Sequence, residues 1–208
     1  MFPPWRAGAL AGVSGYRIGQ WARYGLIRPS HYRGRPQHLY AFNDVAEAIV
    51  VRWLLEQNFS YEAIHAAVER ARVEYREWPL LEAPLGVARH AVEGDPRGVI
   101  VLRVDGRIYV EVADQAEQIT LQPQLLDEAR DMLRRGGWIA DQLRLQRIEV
   151  DPSKLAGAPS LRGRRWPVER IAQIAADSEG RGLLVEDYGI GESEITESLR
   201  WMEYASAL

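Results

Sequence analysis

The stretch Gly12 to Ile27, GVSGYRIGQWARYGLI, constrains the fold of this chain more than any other. Gly12 suits the left-handed residue that ends one short helix, and Ser14 suits the N-cap of the next. The residues before Gly12 form that first helix and bury Leu10. The second helix runs to about Arg23 and stops near Gly25. Within it Ile18, Trp21 and Ala22 make one apolar stripe, because residues three and four apart share a helix face. Tyr16, Arg17, Gln20 and Arg23 are left on or beside the other face. A helix, a short turn and a capped helix form the layout of a helix-turn-helix, whose second helix enters a major groove. The alternative is a small helical hairpin with Arg17 and Arg23 solvated.

The residues that follow favour the first reading. RPSHYRGRPQHLYAF has Pro29, Gly34 and Pro36 as turn makers with Leu39, Tyr40 and Phe42 beyond them, so it predicts a short hairpin, a wing, with Arg33 and Arg35 at its tip. NDVAEAIVVRWLLEQN is then a helix capped by Asn43 or Asp44. Ser60 caps another through Ala71, with Ile64, Ala67, Val68 and Ala71 in one stripe. Met1 to Asn43 holds six arginines (Arg6, Arg17, Arg23, Arg28, Arg33, Arg35) and no Asp or Glu. Residues 1–79 sum to +3, whereas 80–150 and 151–208 carry −3 each. A basic end on an acidic chain points to nucleic acid, where counterion release from phosphates drives binding whatever the sequence.

These elements together resemble the MerR-type winged helix-turn-helix over about the first 75 residues. The matching features are Gly12-Val13-Ser14, Gly25-Leu26, Pro29, the wing to Tyr40, and Asp44-Val45. Gly19 and His38 stand where that family usually has arginines. The long heptad helix by which many such regulators dimerise is missing. The resemblance implies DNA contacts from Ser14, Tyr16, Arg17, Gln20, Arg23, Arg28, Arg33, Arg35 and Tyr40.

Beyond a Pro-rich joint, EWPLLEAPLG, the segment VIVLRVDGRIYVEV predicts a β-hairpin around Asp105-Gly106. That hairpin either covers its own core or offers a dimer surface. PQLLDEARDMLRRGGWIADQL reads as helix with a break at Gly136-Gly137. From Asp151 a compact unit follows, a small strand and three short helices. Their stripes are Ile171, Ile174 and Ala175, then Leu183 and Leu184, then Ile195, Leu199 and Met202.

This unit resembles a small domain family that recurs in bacterial antitoxins, on Gly157 to Val168 (GAPSLRGRRWPV), Glu186-Asp187-Tyr188 and Ile195. Arg164, Trp166 and Gly189 depart from its usual Thr, Ile or Val, and Pro. Both resemblances in this order are similar to an antitoxin of the VapB class. That likeness implies a protein that binds its own promoter and neutralises a PIN-like ribonuclease toxin. Such nucleases hold a divalent metal with carboxylates, which an arginine fork can pair. Arg162, Arg164 and Arg165 are therefore the candidate toxin contacts. Arg162 and Arg165 either make such contacts or brace the domain against Glu186, Asp187 or a carbonyl, and Arg164, outside the family motif, is the one left for the partner.

The expectation is a mainly α chain with small β. Residues 1–79 are a MerR-like winged helix-turn-helix, 80–150 a central β-hairpin plus helix, and 151–208 a trihelical, helix-turn-helix-like antitoxin-type domain. A single helix-turn-helix offers little area, so a homodimer on an inverted repeat is expected, joined through the middle segment or the helix from Asp44 to Glu56. No apolar run nears the ~20 residues that span a bilayer, and no leader pattern opens the sequence, which places the chain in the cytoplasm, away from membranes. Without cysteine there is no disulfide or thiol chemistry, and His31, His38, His65 and His90 have no ligand spacing, so no metal or other cofactor is expected. No nucleotide, hydrolase or metalloprotease motif occurs, so no catalytic residue and no enzyme is expected. The alternative function is a ligand-sensing MerR-like regulator without a toxin partner.

Overall fold

A computed structural model describes residues 1–33, 37–73, 78, 80, 85–89, 98–104, 107–109, 118–121 and 125–208. Helix α1, Pro4–Ala11, opens with proline where a missing N–H costs nothing. It closes on Gly12, whose φ of 73° is left-handed. Ser14 then caps α2, Gly15–Arg23, by accepting from the Arg17 amide at 3.3 Å. Helix α2 ends in a Schellman turn: Gly25 donates to the Ala22 carbonyl at 3.2 Å and Leu26 to that of Trp21 at 2.9 Å. Ile18 and Trp21 are buried, as their spacing predicts.

The wing is the antiparallel pair β1, His31–Arg33, and β2, Gln37–Leu39. Its expected tip, with Arg35, lies outside the described residues. Two clamps hold its base. Phe2 and Tyr40 exchange backbone hydrogen bonds of 2.7 and 2.9 Å. Below them sits Asp44, fully buried near the start of α3, Phe42–Glu56. Its carboxylate accepts from the Ser30 amide, the Ser30 hydroxyl and the Ala41 amide, each at 2.7 Å, and from the Trp78 indole at 2.9 Å. The helix thus opens at Phe42, earlier than an Asn43 or Asp44 cap implies, and Asp44 bonds back to the residue before it. Helix α4, Tyr61–Arg72, follows the Ser60 cap and buries Ile64, Ala67, Val68 and Ala71.

The central hairpin belongs to a larger sheet. Strands β3, Leu85–Arg89, β4, Gly98–Val104, β5, Arg107–Tyr109, and β6, Gln118–Leu121, pair antiparallel in the order β5-β4-β3-β6. Val104 pairs with Arg107, in keeping with a two-residue connection, while Asp105-Gly106 itself lies outside the described residues. Helices α5, Leu125–Arg134, and α6, Gly137–Gln142, are broken at the expected glycines. Gly137, at φ 79°, lets α6 press on α1: a Cβ there would sit 2.8 Å from the Leu10 carbonyl oxygen.

Strands β7, Ile148–Glu149, and β8, Ser160–Leu161, pair across a 3-10 turn at Leu155–Gly157. Helices α7, Val168–Ile174, α8, Ser178–Glu186, and α9, Glu192–Ser206, complete the trihelical unit. Its small core is Leu161, Ile171, Ala175, Leu184, Ile190 and Ile195. The larger core starts in the amino-terminal helices, continues through Leu133, Ile139 and Val150, and takes in Val168 and Trp201. Trp201, 1% exposed, donates its indole N–H to the Gly136 carbonyl at 3.0 Å. Helix α9 therefore contributes Ile195 to one core and Trp201 to the other. Among the described residues no helix is long and apolar enough to cross a membrane.

Replacing Asp44 by Ala leaves two backbone donors and an indole donor without their acceptor at the wing base. Each buried orphan costs ~1–3 kcal/mol, so Asp44→Ala should lower stability by about 3 kcal/mol or more in urea unfolding. A loss below about 1 kcal/mol would show that the carboxylate is not the anchor of the wing.

Candidate nucleic-acid interface

The face of α2 opposite Ile18 and Trp21 is open. Tyr16 is 70% exposed and Tyr24 62%, with Arg17 and Arg23 exposed and Gln20 half-buried beside them. Arg28, just past the Schellman turn, is exposed too. Arg17, Arg23 and Arg28 make no ion pair or side-chain hydrogen bond among the described residues, so their guanidinium donors are available to a ligand. Their counterparts elsewhere are engaged: Arg6 with Glu169 at 2.7 Å, Arg52 with Glu56 at 2.7 Å, and Arg72 with Glu69. A Cβ built on Gly19 meets nothing within 4 Å, so this departure from the family pattern leaves open space on the same helix.

Two expected contacts have other employment. Ser14 gives its hydroxyl oxygen to the helix cap. Tyr40 is fully buried, which corrects its assignment to the DNA-facing surface: one residue past β2 its backbone is bridged to Phe2, and the ring lies inside, beside Asp44. Burial, with the Asp44 carboxylate adding to it, pushes the phenol up to about 12. Its hydroxyl has no hydrogen-bond partner among the described residues. Arg33 ends β1, while the Arg35 expectation falls outside the described residues.

Sequence reasoning missed the second wall of this surface. A cleft of about 650 Å³ separates α2 from α4, lined by Gln20, Arg23, Tyr24, Tyr61, Glu62 and His65. The Tyr61 hydroxyl accepts from the Trp21 indole at 3.4 Å, and the Tyr24 and Tyr61 rings stand 6.1 Å apart. The available signal was Tyr61 directly after the Ser60 cap, a position at the exposed start of a helix. Glu62 is held below the usual carboxylate range by a hydrogen bond to its own amide and by the Ser60 hydroxyl, so it stays anionic and disfavours phosphate on that wall.

The carboxy-terminal arginines divide differently from expectation. Arg164, expected to be free, donates to the Gly189 carbonyl at 2.9 Å and lies 3.8 Å from Glu194. Arg162 reaches only the Ile148 carbonyl, at 3.4 Å, and lines a cleft of about 310 Å³ with Gln146, Arg147 and Glu194. Arg165 is exposed and has no ion pair or hydrogen bond among the described residues. Proximity decides this: the Arg164 fork meets a carbonyl and a carboxylate brought in by the start of α9. No group of three or more metal-ligating side chains occurs among the described residues.

Residues 6–71 match the family described as MerR HTH family regulatory protein, and residues 148–201 match the protein of unknown function DUF433. The chain therefore carries a MerR-family helix-turn-helix domain, a DNA-binding module of regulators, at its amino terminus and a DUF433 domain at its carboxy terminus. No curated protein matches it. A crystal structure of Rv2018 from Mycobacterium tuberculosis is similar in fold, with a TM-score of 0.55, 14% identity and 96% of each chain covered.

Tyr40→Phe removes a hydroxyl without a hydrogen-bond partner among the described residues, so DNA affinity and neutral-pH stability should be unchanged. The alkaline limb is the check. The folded phenol keeps its proton up to about pH 12, above its ordinary pKa near 10, so wild-type stability should fall as pH rises from 10 towards 12. The variant should lack that part of the fall, and a variant with the same alkaline profile would show that Tyr40 does not titrate in this environment.

Proposed function

We propose that the chain is a VapB-class antitoxin: a homodimer that binds operator DNA through its amino-terminal unit, represses its own operon, and neutralises a PIN-like ribonuclease through its carboxy-terminal unit. The observation that carries the DNA half is the row of unpaired cations, Arg17, Arg23 and Arg28, on and beside the capped helix of a MerR-family fold. In this reading Arg17 and Gln20 address base edges, where sequence is read, while Arg28, Arg33 and Arg35 hold phosphates. The ribonuclease half is supported by the pairing of that fold with an antitoxin-like domain and by Arg165, a solvent-facing fork without a partner among the described residues. Arg165 and Arg162 become the partner-facing arginines, and Arg164 becomes the brace.

Arg17→Ala should relax specificity at one or two operator positions by ~1–3 kcal/mol while leaving random-sequence affinity nearly intact. Loss of the wing arginines should weaken all sequences alike and flatten the salt dependence. Equal losses on operator and random DNA for Arg17→Ala would remove it from base reading.

The ribonuclease half is tested with the product of the adjacent gene. Arg165→Ala in the full chain should keep the wild-type melting temperature yet weaken inhibition of RNA cleavage. An adjacent gene that encodes no ribonuclease, or a wild-type chain that does not inhibit one, would leave a plain regulator, whereas full inhibition by both Arg165→Ala and Arg162→Ala would place the toxin contact elsewhere.

A further inference from the structure

We propose that Trp138, acting through Arg52, is a positioning residue for the DNA-reading helix α2; the inference rests on the DNA-binding reading above. The turn that sets α2 against α1 is not held by its own residues alone. Arg52, from the middle of α3, donates to the Gly12 carbonyl and, at 3.4 Å, to that of Ala11. These are carbonyls at the end of α1, where the helix leaves its last acceptors without internal partners and where a cation complements the helix dipole. The Arg52 Nε is fixed by Glu56 at 2.7 Å, so the guanidinium plane has little freedom.

The Trp138 ring, at the start of α6, covers that plane. The Arg52 Cζ lies 3.6 Å from the indole centroid, a cation–π contact on a side chain only 17% exposed. Gly12 shows how closed the assembly is: a Cβ there would fall 1.8 Å from Arg52 Nη1 and 2.3 Å from Trp138 Cδ2. Tyr204, near the end of α9, packs its ring 5.7 Å from that of Trp138. Trp138 and Tyr204 both lie outside the 6–71 match, so the orientation of the helix-turn-helix is fixed partly from outside it.

The consequence is specific. Phosphate contacts tolerate a small tilt of α2, whereas base-edge hydrogen bonds do not, because they fail steeply with distance and angle. Loosening the Arg52 plane should therefore cost operator preference before it costs general affinity.

The full-length protein first selects an operator from a pool of random duplexes. Fluorescence anisotropy then measures affinity for that operator and a scrambled duplex, at two salt concentrations, for wild type, Trp138→Leu, Trp138→Phe and Arg52→Lys, each melted in parallel. Trp138→Leu should lose about tenfold in operator affinity, the scale of one misplaced base contact, and stay within about twofold on the scrambled duplex with the same salt slope. Trp138→Phe, which keeps an aromatic face, should recover most of the loss. Arg52→Lys should resemble Trp138→Leu, because an ammonium cannot supply the stacked fork. A folded Trp138→Leu with wild-type operator preference overturns the role, as does a parallel loss on both duplexes. If Trp138→Leu does not fold, Trp138→Phe and Arg52→Lys make the comparison, and wild-type preference in both overturns it. A wild-type chain that selects no sequence overturns the DNA-binding reading itself and the positioning role with it.

Discussion

One carboxylate holds the amino-terminal unit in shape. Asp44 takes four hydrogen bonds from three segments: Ser30 where the wing begins, Ala41 where it ends, and Trp78 beyond α4. A two-stranded hairpin is marginal in water, so the wing depends on what fixes its base. A turn further along α3, the buried Glu47 accepts from the Leu80 amide at 2.9 Å. Two acids buried on α3 thus carry no surface charge; they tie loops to it.

That use of acids clarifies how a chain of net charge −3 presents a basic surface. Two acids of the amino-terminal unit are spent inside and two more, Glu56 and Glu69, are paired with Arg52 and Arg72. Among the described residues, Arg17 and Arg23 on α2 and Arg28 beyond it are the arginines of this unit without such a partner. Net charge says little here, because burial and pairing decide which charges a ligand meets.

Much of the fold was legible because it is locally encoded. Gly12, Ser14, Gly25 and Ser60 punctuate the helices by rules that need only neighbouring residues, and the Ile18, Trp21 and Ala22 stripe states which face is buried. The unread parts depend on distant partners. Strand β3 is interrupted by Gly86 and Ala88 and β6 is four residues long, so neither shows until it pairs. Trp201 stands beside Leu199 and Met202 in the last stripe, yet its acceptor is the Gly136 carbonyl, 65 residues away. Tyr40, one residue past so short a strand, could face either way, and its bridge to the distant Phe2 goes with burial. The candidate site was read in the same measure: α2 was visible as a helix with two faces, while the Tyr61 and His65 wall required knowing where α4 packs. For the carboxy-terminal arginines, neighbouring residues could not reveal that Gly189 and Glu194 would engage Arg164 and leave Arg165 solvated.

The sharing of α9 between two cores bears on how the chain would be dismantled. Its last turns hold Trp201, inside the core of the helix-turn-helix, and Tyr204, against Trp138. Helix ends fray first, and a protease acts on whatever opens. A cut in α9 before Trp201 would remove a large buried side chain, worth roughly 3–5 kcal/mol when a core tryptophan is lost, and so strip support from the core it shares with α1 and α3. A cut within α9 is therefore felt at once in the helix-turn-helix, far from it in sequence.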